Sequence, residues 1–294
     1  MKQKITVETI KKRIRRFLQQ TNPARIAVGI LFFLWCGSFI FAYAWAIMSS
    51  LNDHVSMMIN PMQFPEKLHF KNYLDAFKIL ETSGTNFIEM IWNTLWMTFG
   101  RTFISMATTI MTAYAFGNFK VKGRNGLVAG MIICMMIPVY GSGSATLILY
   151  HQLNMYDTPL ILLASASGVG NLTLICMTFF QTLSPAYQEA ARMDGAGYWT
   201  VFLKIHLPMV LPSLSSVFLL SLIGGWNDAM TSIYYMPSYP TIAAGLYRYE
   251  ATAKFNMNKP VYFAGVIMCA IPPVVLFSVF RDKLMTNVTI GGIK

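Results

Sequence analysis

Charged residues are scarce in this sequence. They make up 12% of its 294 residues, whereas hydrophobic residues make up 55%; a soluble globular domain carries about 25% charged residues. The shortage of charge excludes an ordinary soluble domain. Several apolar runs exceed the roughly 20 residues that a helix needs to cross a bilayer, so the composition indicates a polytopic membrane protein.

Cysteine is also rare, and no two cysteines are close together in the sequence. The four of them each stand alone in an apolar segment, as Cys36, Cys134, Cys176 and Cys269. No C-x-x-C pair and no cysteine–histidine spacing of a metal site occurs. These absences exclude a disulfide framework and a zinc site, and we expect no bound metal.

The motifs of catalysis and of nucleotide binding are absent as well. The sequence contains no G-x-x-x-x-G-K-[ST] loop for nucleotide phosphates, no H-E-x-x-H and no G-x-S-x-G. Its 12 acidic residues are scattered rather than paired. We therefore expect no enzymatic activity, no catalytic residue and no cofactor in this chain.

What the sequence does contain is a series of long apolar segments. Six of them are predicted to span a membrane as helices, so the expected fold class is all-α and polytopic. A basic arm, 1–24, precedes a six-helix domain, 25–294. The predicted spans are 25–50, 89–116, 126–150, 158–182, 209–231 and 260–280.

The net charge of +11 follows from the distribution of lysine and arginine around these spans. With the N-terminus inside, sixteen of the 23 basic residues fall in cytoplasmic segments, six in external segments and one, Arg101, within a span. This bias is the positive-inside rule, and it predicts that both termini are cytoplasmic. It explains the basic charge without nucleic acid. The same alternation makes 51–88 a long external loop.

The stretch EAARMDGAGYWTVFLKIHLP, from Glu189 to Pro208, is polar and falls on the cytoplasmic side. Ser184 is predicted to cap a helix that begins at Pro185 and ends near Asp194. Gly195 and Gly197 can then turn the chain, and a second short helix, from Trp199 to Leu207, leads to Pro208. From geometry alone this element is either a packing corner between two spans or a docking helix for a separate cytoplasmic protein.

The same stretch resembles the EAA loop of ABC-importer permeases. The E-A-A, D-G-A and I-x-L-P elements of that loop match Glu189-Ala190-Ala191, Asp194-Gly195-Ala196 and Ile205 with Leu207-Pro208. Further segments resemble the carbohydrate-uptake branch, which includes the maltose permeases. These segments are Phe64-Pro65 with Asn72-Tyr73, Asn93-Thr94-Leu95, Ala113-Tyr114-Ala115, Trp226-Asn227-Asp228 and the tail TIGGIK. Ala229 stands where the branch usually has an aromatic residue.

The resemblance implies a type I ABC-importer permease in the plasma (inner) membrane of a prokaryote. It implies a paralogous permease subunit, two cytoplasmic ATPase subunits that bind ATP and Mg²⁺, and an extracytoplasmic solute-binding protein. The solute would be a sugar, and more specifically an oligosaccharide; a peptide or a phosphate ester is the alternative. Residues 184–208 would form the coupling loop, with Glu189, Ala190, Ala191, Asp194, Gly195 and Ala196 as the ATPase-coupling residues.

Three features are candidates for the translocation pathway or its gate. Trp226, Asn227 and Asp228 combine an aromatic face with polar groups, near the outer end of the fifth span. Tyr140 follows Pro138 in the third span, at either a pore-side kink or a simple packing kink.

Arg101 lies about midway through the second span, where an unpaired charge is costly. Either it forms an ion pair or carbonyl contacts within the permease, with Asp228 as one possible partner, or it lines the pathway and favours an anionic sugar. The sequence leaves both interpretations open.

Overall fold

The computed structural model describes residues 23–81, 84–119, 122–137, 141–166, 168–252 and 257–288. Every regular element in these ranges is a helix, which confirms the predicted all-helical class. The basic arm, except for residues 23 and 24, and the C-terminal TIGGIK segment lie outside the described residues.

The helices follow one another with short connections. In chain order they are α1 (Pro23–Ser50), α2 (His54–Ile59), α3 (Lys71–Ile79), α4 (Phe87–Asn118), α5 (Arg124–Met136), α6 (Ser142–Gln152), a 3₁₀ helix (Pro159–Ser165), α7 (Asn171–Gln181), α8 (Pro185–Met193), α9 (Tyr198–Val201), a π turn (Phe202–His206), α10 (Leu207–Trp226), α11 (Met230–Tyr235), α12 (Ile242–Thr252) and α13 (Lys259–Val288).

Three stretches of the described chain are long and apolar enough to cross a membrane as single helices: Arg25–Ser50, Tyr198–Trp226 and Lys259–Phe280. They correspond to the first, fifth and sixth predicted spans. The second predicted span forms the 32-residue helix α4, which is more polar than these three.

The third and fourth predicted spans are not single continuous helices. The third, 126–150, is interrupted between α5 and α6, where Gly141 adopts a left-handed backbone with φ of 76°. The fourth, 158–182, begins as a 3₁₀ helix and becomes α-helical only at Asn171. Gly168, in the connection, lies so close to α4 that a Cβ atom there would be 2.4 Å from Oγ1 of Thr112. The interruption of the third span agrees with the kink predicted in that segment. The break in the fourth span was missed, because hydropathy measures composition and not helix continuity.

Helix α4 lies at the centre of the fold. Its second half packs with α7 and α10 around a buried cluster that includes Tyr114, Phe180, Phe202 and Leu214. The contact with α7 is close because Gly117 has no side chain; a Cβ atom there would be 2.9 Å from Cβ of Phe180. We call this end of the bundle, where α8 lies, the α8 end.

The opposite end of the bundle, the α3 end, holds a second cluster. Leu80, Phe87, Met90, Trp226 and Ile242 are buried together there. They belong to the end of α3, the start of α4, the end of α10 and the start of α12. The cluster therefore fixes where α10 ends relative to where α4 begins.

The predicted external loop folds as a compact element at the α3 end. Asn72 donates hydrogen bonds from Nδ2 to the carbonyl oxygens of Ser50 and Asn52, each at 2.9 Å. The hydroxyls of Ser50 and Tyr73 are 2.8 Å apart. Asp53 caps α2, and the hydrogen bond from the Ser56 N–H lowers the pKa of its carboxyl. These contacts fix α3 to the end of α1.

Candidate functional site

Helix α8 begins as its sequence predicts. Ser184 is the N-cap, and its side chain accepts a hydrogen bond from the Ala186 N–H at 3.4 Å. Pro185 occupies the first helical position, where a missing N–H leaves no bond unmade. The local sequence alone therefore determines where this helix starts.

The end of α8 is a Schellman motif centred on Gly195. The Ala196 N–H donates to the Ala191 carbonyl at 2.9 Å, and the Gly195 N–H donates to the Arg192 carbonyl at 3.0 Å. Gly195 has a φ of 82°, a conformation that costs an L-residue about 1–2 kcal/mol. The predicted turn at Gly195 is thus confirmed. Gly197 does not share this role, because its φ is −71° and its backbone is extended.

The helix is fastened to the rest of the bundle on one side. Asn118, the last residue of α4, donates from Nδ2 to Oε1 of Gln188 at 2.7 Å. Ala191 is buried, and the guanidinium of Arg192 lies 4.3 Å above the ring of Tyr198. These contacts hold α8 to α4 and α9, so displacement of α8 must displace the end of α4.

The other side of α8 is exposed. Glu189 and Ala190 face outward, and large side chains surround them without cover from the described chain. Met193 is 88% exposed and Trp199 64% exposed; Tyr187 and Tyr198 are also exposed. The two alanines therefore lie on different sides of the helix, because Ala190 is exposed and Ala191 is buried.

The predicted second helix of the loop, from Trp199 to Leu207, is not a separate helix. One helix runs from Tyr198 to Trp226, and residues 198–208 form its first turns. Pro208 does not end it, because the chain passes through a π turn just before, in which the Leu207 N–H donates to the Phe202 carbonyl. A π turn shifts the hydrogen-bond register and lets the helix absorb an irregular residue.

At the other end of this long helix, Arg101 and Asp228 form an ion pair. Arg101 Nη1 donates to Oδ2 of Asp228 and, at 3.3 Å, to the hydroxyl of Thr231. The Asp228 carboxylate also accepts from Thr231, through the hydroxyl at 2.6 Å and the backbone N–H at 3.1 Å. The partner suggested for Arg101 from the sequence is therefore the one found. The pair joins the middle of α4 to the turn between α10 and α11.

A cleft of about 460 Å³ lies beside this ion pair, between α4 and α10. The Arg101 side chain is 43% exposed and that of Asp228 19% exposed, so the guanidinium faces the cleft more openly than the carboxylate. The lining combines both charged groups with hydroxyls and glycines; it consists of Arg101, Ser105, Ser221, Gly224, Gly225 and Asp228.

The other candidate pathway residues do not line this cleft. Trp226 is buried, and its Nε1 donates to the Cys269 carbonyl at 3.0 Å, which fastens α10 to α13. Asn227 is exposed, and its amide donates to the Ile223 carbonyl at the end of α10. Of the three consecutive residues only Asp228 reaches the cleft, because the helix ends at Trp226. Tyr140 lies outside the described residues.

Sequence reasoning missed the hydroxyl and glycine residues of the cleft. Ser105 lies one turn after Arg101 on the same face of α4, and Ser221, Gly224, Gly225 and Asp228 recur at helical spacing along α10. The spacing of these residues can be read from the sequence. The sequence does not show which faces of α4 and α10 meet, because that depends on how the two helices pack.

The chain matches the family model described as "Binding-protein-dependent transport system inner membrane component" over residues 105–288. It is 24% identical over 268 residues to the diacetylchitobiose uptake system permease protein NgcG of Streptomyces coelicolor, covering 89% of this chain and 86% of that protein. It is 30% identical over 215 residues to the maltose/maltodextrin transport system permease protein MalG of Photorhabdus laumondii, covering 69% of this chain and 71% of that protein.

A solved structure shares the fold. A chain of a bacterial ABC transporter involved in the import of the acidic polysaccharide alginate superposes with a TM-score of 0.69 at 19% identity. The match covers 89% of this chain and 98% of the other. The broken helices described above therefore belong to an arrangement that another membrane transporter adopts.

We predict that Arg101 and Asp228 stabilise the fold as a unit. Arg101→Gln and Asp228→Asn should each lower the free energy of unfolding in detergent by about 1–3 kcal/mol, since each leaves a partly buried charge unpaired. The double variant should lose less than the sum of the two. Chemical unfolding followed by tryptophan fluorescence measures all three.

The matched control is the exposed neighbouring pair Glu66→Gln and Lys67→Gln. Those two effects should be small and should add within about 0.5 kcal/mol. Strict additivity for Arg101 and Asp228 would contradict the assignment of a coupled pair.

Proposed function

The chain belongs to the family of inner membrane components of binding-protein-dependent transport systems, and on that premise we propose that it is the permease subunit of an ATP-driven sugar importer. The proposal rests on one observation about α8. One side of this short helix is bonded to α4, and its other side is exposed. This is the geometry of a helix that transmits the movement of a docked protein to the membrane segments.

The exposed side of α8 favours docking over internal packing. A packing corner between two spans would bury its large side chains, whereas Tyr187, Met193, Tyr198 and Trp199 form an exposed apolar surface around Glu189. We therefore assign Glu189, Ala190 and Asp194 to contact with an ATPase subunit. Ala191, Gly195 and Ala196 position them, because they form the buried side and the terminal turn.

ATP would be bound and hydrolysed by that partner. The sequence has no phosphate-binding loop. Two ATPase subunits would therefore bind ATP with Mg²⁺, and this chain would change conformation in response to their movement. The family description requires a solute-binding protein, and a paralogous permease subunit would complete the pathway.

We assign the α8 end of the bundle to the cytoplasm and the α3 end to the outside. The distribution of lysine and arginine supports this orientation. In this arrangement α1, α4, α10 and α13 each cross the membrane. The interrupted pair α5–α6 and the 3₁₀ helix with α7 complete six crossings, with both termini in the cytoplasm.

We assign the solute to the sugars because the chain is similar to permeases of sugar-uptake systems. The relatives above are uptake permeases for diacetylchitobiose and for maltose and maltodextrins, and the cleft at Arg101 is lined by groups that bond hydroxyls. An oligosaccharide agrees with both. A peptide or phosphate ester remains an outcome of the test.

The test is ATP hydrolysis by the assembled complex in lipid nanodiscs. Its binding protein would be added after incubation with maltotriose, trigalacturonate, a tripeptide or glycerol 3-phosphate. We expect a sugar-loaded form to raise the ATPase rate above that of the unloaded binding protein. Stimulation by the tripeptide or by glycerol 3-phosphate alone would refute the sugar assignment while leaving the importer in place.

We predict that Gly195→Val abolishes sugar uptake without preventing membrane insertion. A β-branched residue cannot adopt a φ of 82° without strain, so the end of α8 must move. Gly197→Val is the matched control: the φ of Gly197 is −71°, and a Cβ atom there meets no other atom within 4 Å. Uptake into proteoliposomes measures both, and near-normal uptake by a well-inserted Gly195→Val protein would refute the role of this turn.

We also predict that Glu189→Lys weakens association with the ATPase by about tenfold or more, because it reverses a charge at the centre of the docking surface. The amount of ATPase that co-purifies with the tagged permease measures the effect. Glu81→Lys, exposed at the opposite end of the bundle, is the control and should retain the ATPase. Equal recovery with both variants would place the docking surface elsewhere.

A further inference from the structure

We propose that the cleft at Arg101 is a solute subsite within this subunit, and that the Arg101–Asp228 pair makes it selective for uncharged, hydroxyl-rich sugars. The inference rests on the proposed function and names the class of sugar. It depends on three properties of the cleft: its space, its free hydrogen-bonding groups and its net charge.

The cleft has room for a solute group. Its volume of about 460 Å³ lies within the range of small-molecule sites, about 300–1,000 Å³. Gly224 gives α10 no side chain on this side. The space beside it is open, since a Cβ atom there would meet no other atom within 4 Å. Ser105 and Ser221 place hydroxyls on facing helices. A sugar ring could therefore lie between α4 and α10 with hydroxyls on both sides.

The ion pair leaves hydrogen-bonding capacity unused. Within the described residues, Arg101 donates to side chains only through Nη1, to Asp228 and Thr231. The N–H groups of Nε and Nη2 remain available as donors. Oδ1 of Asp228 accepts only from the Thr231 backbone N–H, so one acceptor position remains. A sugar hydroxyl both donates and accepts, and it can satisfy either kind of group.

The described residues that line the cleft carry no net charge. Arg101 and Asp228 are the two ionisable residues among them, and their charges cancel at contact. An unpaired guanidinium in a membrane segment would attract an anion strongly, because the surroundings screen its charge poorly. The carboxylate removes that attraction and leaves the hydrogen-bond donors, which is the combination suited to a neutral sugar.

A second, smaller cavity of about 90 Å³ adds an aromatic surface on another side of Arg101. Tyr150 and Tyr235 line it with Thr231 and Ser165, and the two tyrosine rings pack edge to face with centroids 5.0 Å apart. Among the described residues of its lining, Arg101 is the one ionisable group besides the tyrosines, and Ile161, Leu162 and Ala164 are apolar. The second cavity thus adds aromatic rings and hydroxyls beside Arg101.

The charge balance can be measured without knowing the solute. Ser221→Cys would be labelled in the assembled complex with a cationic and an anionic methanethiosulfonate of similar size, and the unsubstituted chain would give the background of its native cysteines. Met62→Cys is the control for the intrinsic rates of the two reagents, because Met62 is 61% exposed in the segment between α2 and α3 and does not line the cleft.

We expect the ratio of the two rates at Ser221→Cys to lie within about threefold of the ratio at Met62→Cys. Asp228→Asn should shift the ratio toward the anionic reagent by about tenfold, and Arg101→Gln should shift it equally toward the cationic one. Neither should change the ratio at Met62→Cys. Failure of both reagents to react at Ser221→Cys, or a ratio unmoved by Asp228→Asn, would overturn the inference.

The solute itself provides the second measurement. Binding protein loaded with maltotriose should slow labelling of Ser221→Cys severalfold, while trigalacturonate should not. The subsite would be refuted if maltotriose raised the ATPase rate without slowing the labelling of Ser221→Cys, or if trigalacturonate alone raised the ATPase rate. Either result would leave the proposed importer in place. Stimulation by neither sugar would count against the proposed function and this inference together.

Discussion

The ion pair between Arg101 and Asp228 is the constraint on which the arrangement of the helices depends. Arg101 lies near the middle of α4, and a guanidinium that is partly removed from water needs a partner within the protein. Asp228 can serve as that partner only if the end of α10 lies beside the middle of α4. The pair therefore sets the register of the two central helices, and Trp226, bonded to the Cys269 carbonyl, fixes α13 to the same point.

The same two helices connect α8 with the cleft. At the α8 end, Asn118 joins α4 to α8, and the cluster around Tyr114, Phe180 and Phe202 packs α4 against α7 and the start of the long helix. At the other end these helices form the two walls of the cleft. A displacement of α8 thus reaches the cleft through continuous helices, without a flexible connection between them.

The features that could be predicted from the sequence are those fixed by neighbouring residues. Ser184 and Pro185 determine the start of α8, and Gly195 determines its end, because capping and left-handed turns need only a few adjacent positions. A kink in the third apolar segment could also be predicted, from Pro138. The break in the fourth segment could not, because it depends on a contact with a distant helix, that of Gly168 with Thr112. The sequence predicted the two charged residues of the cleft, Arg101 and Asp228, because charges are rare in apolar segments. It did not predict the serines and glycines of the lining, which are common there.

The interrupted helices explain why such a chain needs protein neighbours in the membrane. Helix α5 is about 20 Å long and α6 about 16 Å, whereas the hydrocarbon core is about 30 Å thick. Lipid can cover their exposed apolar side chains, such as Ile133 and Ile148. It cannot satisfy the backbone groups left unpaired where a helix stops within the hydrocarbon. Under the proposed function, a second permease subunit would cover this break, and α5 and α6 would be fully surrounded in the assembled transporter.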